Sequence, residues 1–224
     1  MDIVNFSHDY CIFVQKKGYI HMSSNAASRT KDLLIDVARQ LFAKIGITNT
    51  TVNDIADKSQ KGRRTIYTYF RNKGDIITAV IEKELQCMLT NLKQAQTSKL
   101  RPENKLMHFI YTHLETMKEI VHRNGSLKAE FFKDISRVEK ARQSLDKEEH
   151  KMLKIILDEG VRAGYFHVPS THIAATILLG SLKGMEVPYL VGKIKTSIGD
   201  DFDQFRYTVE SMLFNGLRPK RRDH

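Results

Sequence analysis

Apolar residues recur three and four positions apart along most of this 224-residue chain, and no Asn-Gly or Asp-Gly turn joins two alternating apolar runs. That spacing lines one face of a helix, so the chain is predicted to be all-α. A first helix, starting near Ser28 or Thr30, puts Leu34, Ala38, Leu41, Phe42 and Ile45 on one stripe before Gly46 stops it. Thr51-Val52-Asn53-Asp54 has the form of a capping box and opens a short second helix ending by about Lys58. After a turn over Ser59 to Lys61, Gly62 begins a third helix from Arg63 to Phe70, with Ile66 and Phe70 facing inward. Longer helices are predicted over Asp75–Thr97, Pro102–Arg123, Ser126–Ile135, Val138–Gly160, Ser170–Val191 and Asp201–Leu217.

This pattern divides the chain into a small helical domain, 28–74, and a larger one, 75–218. Residues 1–27 are predicted to be a disordered extension, with Met22 as an alternative initiator, and 219–224 form a basic tail. The longest apolar candidate, Ile173 to Val191, is interrupted by Lys183 and Glu186, which argues against a membrane span. The apolar patch Cys11 to Val14 follows Asp2 and Asp9 rather than a basic segment, which argues against a secretion signal. Cys11 and Cys87 lack the spacing of a metal or redox pair and suit a reduced, cytoplasmic location.

The net charge of +10 is unevenly spread. Residues 26–75 carry ten Lys or Arg against five Asp or Glu, whereas 98–217 carry eighteen against sixteen. A polyanion is the natural partner of such a basic block. Two short helices joined by a tight turn, the second rich in Arg, Thr and Tyr, are what a helix-turn-helix reader of duplex DNA requires. Arg63 and Arg64 offer bidentate contacts to guanine, and Thr65 and Thr68 reach a thymine methyl or a phosphate. Tyr67 and Tyr69 present phenolic donors to phosphate, Thr51 adds a helix N-terminus, and Lys73 adds a point charge. The competing reading of Arg63 and Arg64 is a solvated face, of Tyr69 a core residue, and of Thr51 a cap alone.

Three segments carry a resemblance: TKDLLIDVARQLFAKIG from Thr30 to Gly46, TTVNDIA from Thr50 to Ala56, and TIYTYFRNKGDII from Thr65 to Ile77. Their specific part is T-[IL]-Y-x-Y-F-x-x-K following T-V-x-D-I-A, and together they resemble the DNA-binding domain of the tetracycline-repressor (TetR) family. The resemblance implies a homodimer that binds a near-palindromic operator and releases it when a small molecule occupies the C-terminal domain. It places Thr51 and Asn53 on the DNA backbone, Arg63, Thr65 and Thr68 in the groove, and Tyr67, Tyr69 and Lys73 on phosphates. Two departures stand out: Gln60-Lys61-Gly62 replaces the usual Gly-Val-Ser turn, and Arg64 replaces a frequently small residue. A glutamine in a left-handed turn conformation is strained.

In the larger domain, Met107, His108, Tyr111, Leu114, Met117, Phe131 and Phe132 form the candidate lining of an effector pocket, ordinary core packing being the alternative. His108 and His113, five apart, do not share a helix face as a metal pair would, so no metal or other cofactor is predicted. The last two helices carry surplus apolar surface: Ile173, Ile177, Gly180, Ser181, Gly184, Phe205, Val209 and Met212 are the candidate dimer interface, by the same resemblance a four-helix bundle with a second copy. Hydrolase, P-loop, zinc-protease and dinucleotide motifs are missing. The adjacent pairs Glu148-Glu149, Asp158-Glu159 and Asp200-Asp201 read as solvated charge. The chain is therefore predicted to be a DNA-binding transcription regulator, repressing by default, and not an enzyme. The alternative is a helical ligand-binding or scaffold protein that contacts nucleic acid without sequence preference.

Overall fold

The computed structural model describes residues 26–124, 135–190 and 202–217. Among these residues there are eight helices and no strand: α1 (Ala26–Ile45), α2 (Val52–Ser59), α3 (Arg63–Tyr69), α4 (Lys73–Thr97), α5 (Pro102–Arg123), α6 (Ile135–Arg162), α7 (Thr171–Leu190) and α8 (Phe202–Leu217). Residues 1–25 of the expected extension, the helix from Ser126, the Gly192–Gly199 loop and the basic tail lie outside the described residues, and Ala26 and Ala27, expected to be disordered, are helical. No described helix is long and apolar enough to cross a membrane.

The all-α reading holds, with shifted ends. α1 is already helical at Ala26, the first described residue, and the Thr30 hydroxyl bonds back to the Ala26 carbonyl instead of capping. Gly46 ends it at a φ of 87°, its N–H donating to Phe42 O at 3.0 Å. On the expected stripe Leu34, Ala38, Leu41 and Phe42 are buried, whereas Ile45, in the last turn, is 40% exposed. α4 begins two residues early because Asn72 caps it, its side chain accepting from Asp75 N–H at 3.0 Å.

Two hydrophobic cores result. The first joins α1 to Ile55 and Ala56 of α2, Ile66 of α3, Phe70, and Ile76 and Val80 of α4. The second begins at the next residue, Ile81, and collects the rest of α4 with α5, α6, α7 and Phe214 of α8. One helix thus supplies both cores, and a charged seam fixes it against α1. Lys83 lies 3.0 Å from Asp36 and 3.5 Å from Asp32, and Glu84 lies 3.7 Å from Arg39.

The second core holds a polar cluster that corrects one expectation. Glu149 is not solvated: it is 1% exposed, on the inner stripe of α6 with Leu145, Met152, Leu153 and Ile156. It faces His113 of α5, whose Nδ1 is 3.2 Å from Glu149 Oε1 but poorly aligned, so that contact is coulombic rather than a hydrogen bond. His113 Nε2 meets Glu186 Oε1 of α7 at 3.1 Å, and Arg142 of α6 donates to both Glu186 oxygens at 2.7 and 2.5 Å. The other acidic pair is also engaged: Glu159 takes Lys105, and Asp158 takes Lys154 and Thr171. Asp200 and Asp201 lie outside the described residues.

Burial opposes a charged imidazole, but the carboxylates of Glu149 and Glu186 more than offset it and hold the His113 pKa up at about 9. In the unfolded chain that pKa is about 6.5. The stabilisation is therefore complete below about pH 6.5 and is lost as pH rises through about 9. Unfolding free energies from denaturant titrations between pH 6 and 10 should fall by on the order of 3 kcal/mol, and the fall should be largely absent in His113→Gln.

Candidate nucleic-acid interface

α3 is too short to persist alone, so its position depends on neighbours. Ile66 is fully buried beneath it, Phe70 terminates it inside the first core, and Ile55, Ala56 and Ser59 hold α2 against the same interior. Pinned on this side, with Tyr69 also packed against the first core, α3 turns its opposite side outward. Arg63, Arg64, Tyr67 and Thr68 are exposed, and Thr65 and Tyr69 are half-buried.

The start of α2 is set by a complete capping box. Asp54 N–H donates to the Thr51 hydroxyl at 3.2 Å, while Asp54 Oδ2 accepts from the Thr51 N–H at 2.7 Å and its hydroxyl at 2.8 Å. The backbone bond from Thr51, then its hydroxyl, and more weakly the charge of Lys73, hold the Asp54 carboxyl below its ordinary pKa. Thr51 and Asn53 stay exposed at this helix start. Between α2 and α3 the chain reverses at Gln60, which sits at φ 54°, ψ 35°. Its N–H donates to Asp57 O at 3.2 Å and that of Lys61 to Ala56 O at 3.1 Å, so the turn bonds properly despite a side chain that disfavours it.

The cations of α3 are exposed and, like Arg29 and Arg101, have no carboxylate beside them among the described residues. Arg39, Arg71, Arg123 and Arg142 are all paired with carboxylates, whereas Arg63 and Arg64 have no ion-pair partner among the described residues. Two unpaired guanidiniums on one short exposed helix are suited to guanine or phosphate. Lys73 is placed differently from a simple surface charge: half-buried, it donates to the Thr48 carbonyl at 3.3 Å and ties the start of α4 to the loop before α2. Arg71, absent from the sequence-derived set, is committed to Asp75 through its backbone N–H and Nε, each at 3.0 Å.

The other candidate residues fall into two groups. Met107, Leu114 and Met117 are buried in the second core, His108 and Tyr111 are half-buried, and Phe131 and Phe132 lie outside the described residues. Burial holds the His108 pKa below its ordinary value. On α7, Ile173 and Ile177 are 58% and 63% exposed, and Gly180, Ser181 and Gly184 continue the same open stripe. On α8, Met212 is exposed and Val209 half-buried, and the Phe205 side chain lies outside the described set. Tyr207, 72% exposed, was not among the expected residues, and the 100° step of a helix sets it on the side of α8 away from Val209 and Met212.

Residues 34–80 match the family described as bacterial regulatory proteins, tetR family. The HTH-type transcriptional regulator TtgR of Pseudomonas putida is 28% identical over 156 residues, which are 65% of this chain and 72% of that protein. The HTH-type transcriptional repressor KstR2 of Mycolicibacterium smegmatis is 28% identical over 148 residues, 64% of this chain and 70% of that one. Among solved structures, the transcriptional regulator FadR of Bacillus subtilis, in complex with stearoyl-CoA, superposes with a TM-score of 0.61 at 20% identity, covering 84% of this chain and 99% of that one.

The Gln60 turn generates a test. Gln60→Gly relieves about 1–2 kcal/mol of backbone strain and costs roughly 0.5–1 kcal/mol in unfolded-state entropy, so the melting temperature should hold or rise slightly. Gln60→Val, branched at Cβ, should lower stability by at least about 1 kcal/mol.

Proposed function

Because residues 34–80 match the tetR family of bacterial regulatory proteins, we propose that the chain is a member of it: a homodimeric repressor that reads a near-palindromic operator through α3 and releases it when a small molecule occupies its C-terminal helices. The observation that carries the reading is the outward face of α3, where Arg63, Arg64, Tyr67 and Thr68 stand exposed while Ile66 and Phe70 anchor the helix. A helix so presented enters a major groove about 12 Å wide without rearrangement. In this reading Arg63, Arg64, Thr65 and Thr68 meet base edges, and Tyr67, Tyr69, Thr51 and Asn53 meet the backbone. Lys73 acts on phosphate and also braces the loop before α2.

Residues 28–74 form the reading unit, and 75–218 pair with a second copy and sense the effector. The exposed Ile173 and Ile177 of α7, in line with the open Gly180, Ser181 and Gly184, support pairing: exposed apolar surface that small residues let another helix approach is suited to an interface. A two-fold dimer sets two α3 helices about 34–36 Å apart, one turn of DNA, or somewhat more. An effector that binds better to the conformer with mis-spaced heads weakens operator binding by the same factor, typically about 5- to 150-fold. FadR in its solved form holds stearoyl-CoA; a small-molecule effector of unspecified chemistry is proposed for this chain, among Met107, His108, Tyr111, Leu114, Met117, Phe131 and Phe132. A catalytic role has no support in the sequence motifs, and a scaffold with sequence-independent nucleic-acid contact would not need an ordered reading face.

Selection of bound duplexes from a random pool should return one palindromic sequence. Arg63→Ala should then relax base preference at one position of each half-site, at about 1–3 kcal/mol, while Lys73→Ala weakens all duplexes alike. Enrichment of no particular sequence would leave the scaffold reading in place.

Pairing is tested separately. Ile177→Asp buries a charge in the proposed interface, so sedimentation should show a monomer with native helical content and operator affinity reduced at least about a hundredfold, because two half-sites no longer bind together.

A further inference from the structure

Glu84 is a carboxylate 4% exposed on α4, four residues beyond Val80, the last α4 side chain of the first core. Two guanidiniums reach it from opposite directions. Arg39 comes from α1, in the reading head, and approaches Glu84 Oε1 at 3.7 Å. Arg123 comes from the last residue of α5, in the second core, and its Nη2 donates to Glu84 Oε2 in a short hydrogen bond. The neighbouring Lys83 instead serves Asp32 and Asp36, both on α1. Of these two adjacent α4 residues, Lys83 grips the head, and Glu84 is shared between the head and the C-terminal end of α5.

We propose that Glu84 is a positioning residue for operator binding: through it, Arg123 fixes the angle at which α1, and with it α3, is carried on α4. This rests on the regulator reading given above. The physical ground is that a buried carboxylate cannot release one cation without leaving charge uncompensated, so the two arginines are coupled through it. A shift at the end of α5 changes how Glu84 is shared, and the head must follow. Specific binding needs two heads correctly spaced at once, whereas non-specific binding needs only cations near phosphates, so the joint affects the first and spares the second.

The test uses the full chain and a duplex selected from a random pool, with a scrambled duplex of equal length as reference. Affinities for both are measured in the wild type, Arg123→Gln, Arg39→Gln, the double variant and Arg123→Lys, each normalised to active protein. Arg123→Gln should lower the preference for the selected duplex by about fivefold or more with scrambled-duplex affinity unchanged. The double variant should lose less than the product of the single losses, because both act through one carboxylate, and Arg123→Lys should restore part of the preference. Should Arg123→Gln not fold, Arg123→Met keeps the aliphatic stem without the charge and takes its place. A folded Gln or Met variant with wild-type preference overturns the proposal. A wild type that selects no duplex overturns the regulator reading and the joint with it; normal selection with an unmoved preference overturns the joint alone.

Discussion

A seven-residue helix has no independent existence in water, because its few hydrogen bonds do not offset the cost of nucleation. α3 persists only because Ile66 and Phe70 are withdrawn into the interior that α1 supplies through Leu34, Ala38 and Phe42. That single constraint dictates the rest of the head. With that side committed inward, Arg63, Arg64, Tyr67 and Thr68 are free to face outward, and the capping box of α2 and the bonded turn at Gln60 fix the direction of α3. Rigidity of this kind is what base reading demands, since a bidentate contact tolerates little angular error.

The larger half uses a different economy. Its core is mostly Leu, Met, Ile and Phe, yet it encloses His113, Glu149, Glu186 and Arg142, drawn from α5, α6 and α7. Two positive and two negative groups balance, so the cluster is neutral when fully ionised. An apolar replacement of the whole set could be as stable; removal of one member leaves a buried charge. The cluster thus specifies how three helices register against one another, where apolar contacts alone would allow them to slide.

Much of this was legible in the residues. The capping box, the Gly46 stop, the extent of α5 from Pro102 to Arg123 and the inward placement of Ile66 and Phe70 all follow from local chemistry. The exposed stripe of α7 was also legible, since Ile173, Ile177, Gly180, Ser181 and Gly184 share one side of a helix. What escaped was polar and long-range. Glu149 reads as solvated beside Glu148, although its spacing from Leu145, Met152 and Ile156 puts it on the buried stripe; only partners on two other helices make that tolerable. Glu84 is similarly hidden, because Arg39 and Arg123 are distant in sequence, and Lys73 reads as a free charge until the Thr48 carbonyl is seen beside it.

The handover between the two cores, from Val80 to Ile81, falls between consecutive residues of one unbroken helix. Neighbouring side chains on a helix point about 100° apart, so the two interiors are fastened to one shaft at an angle, in the manner of throws on a crankshaft. Rolling that shaft within its larger bearing must swing whatever is bolted to the other throw, and a few degrees at the axle become ångströms at the rim. In a pair of such molecules, both rims would swing together.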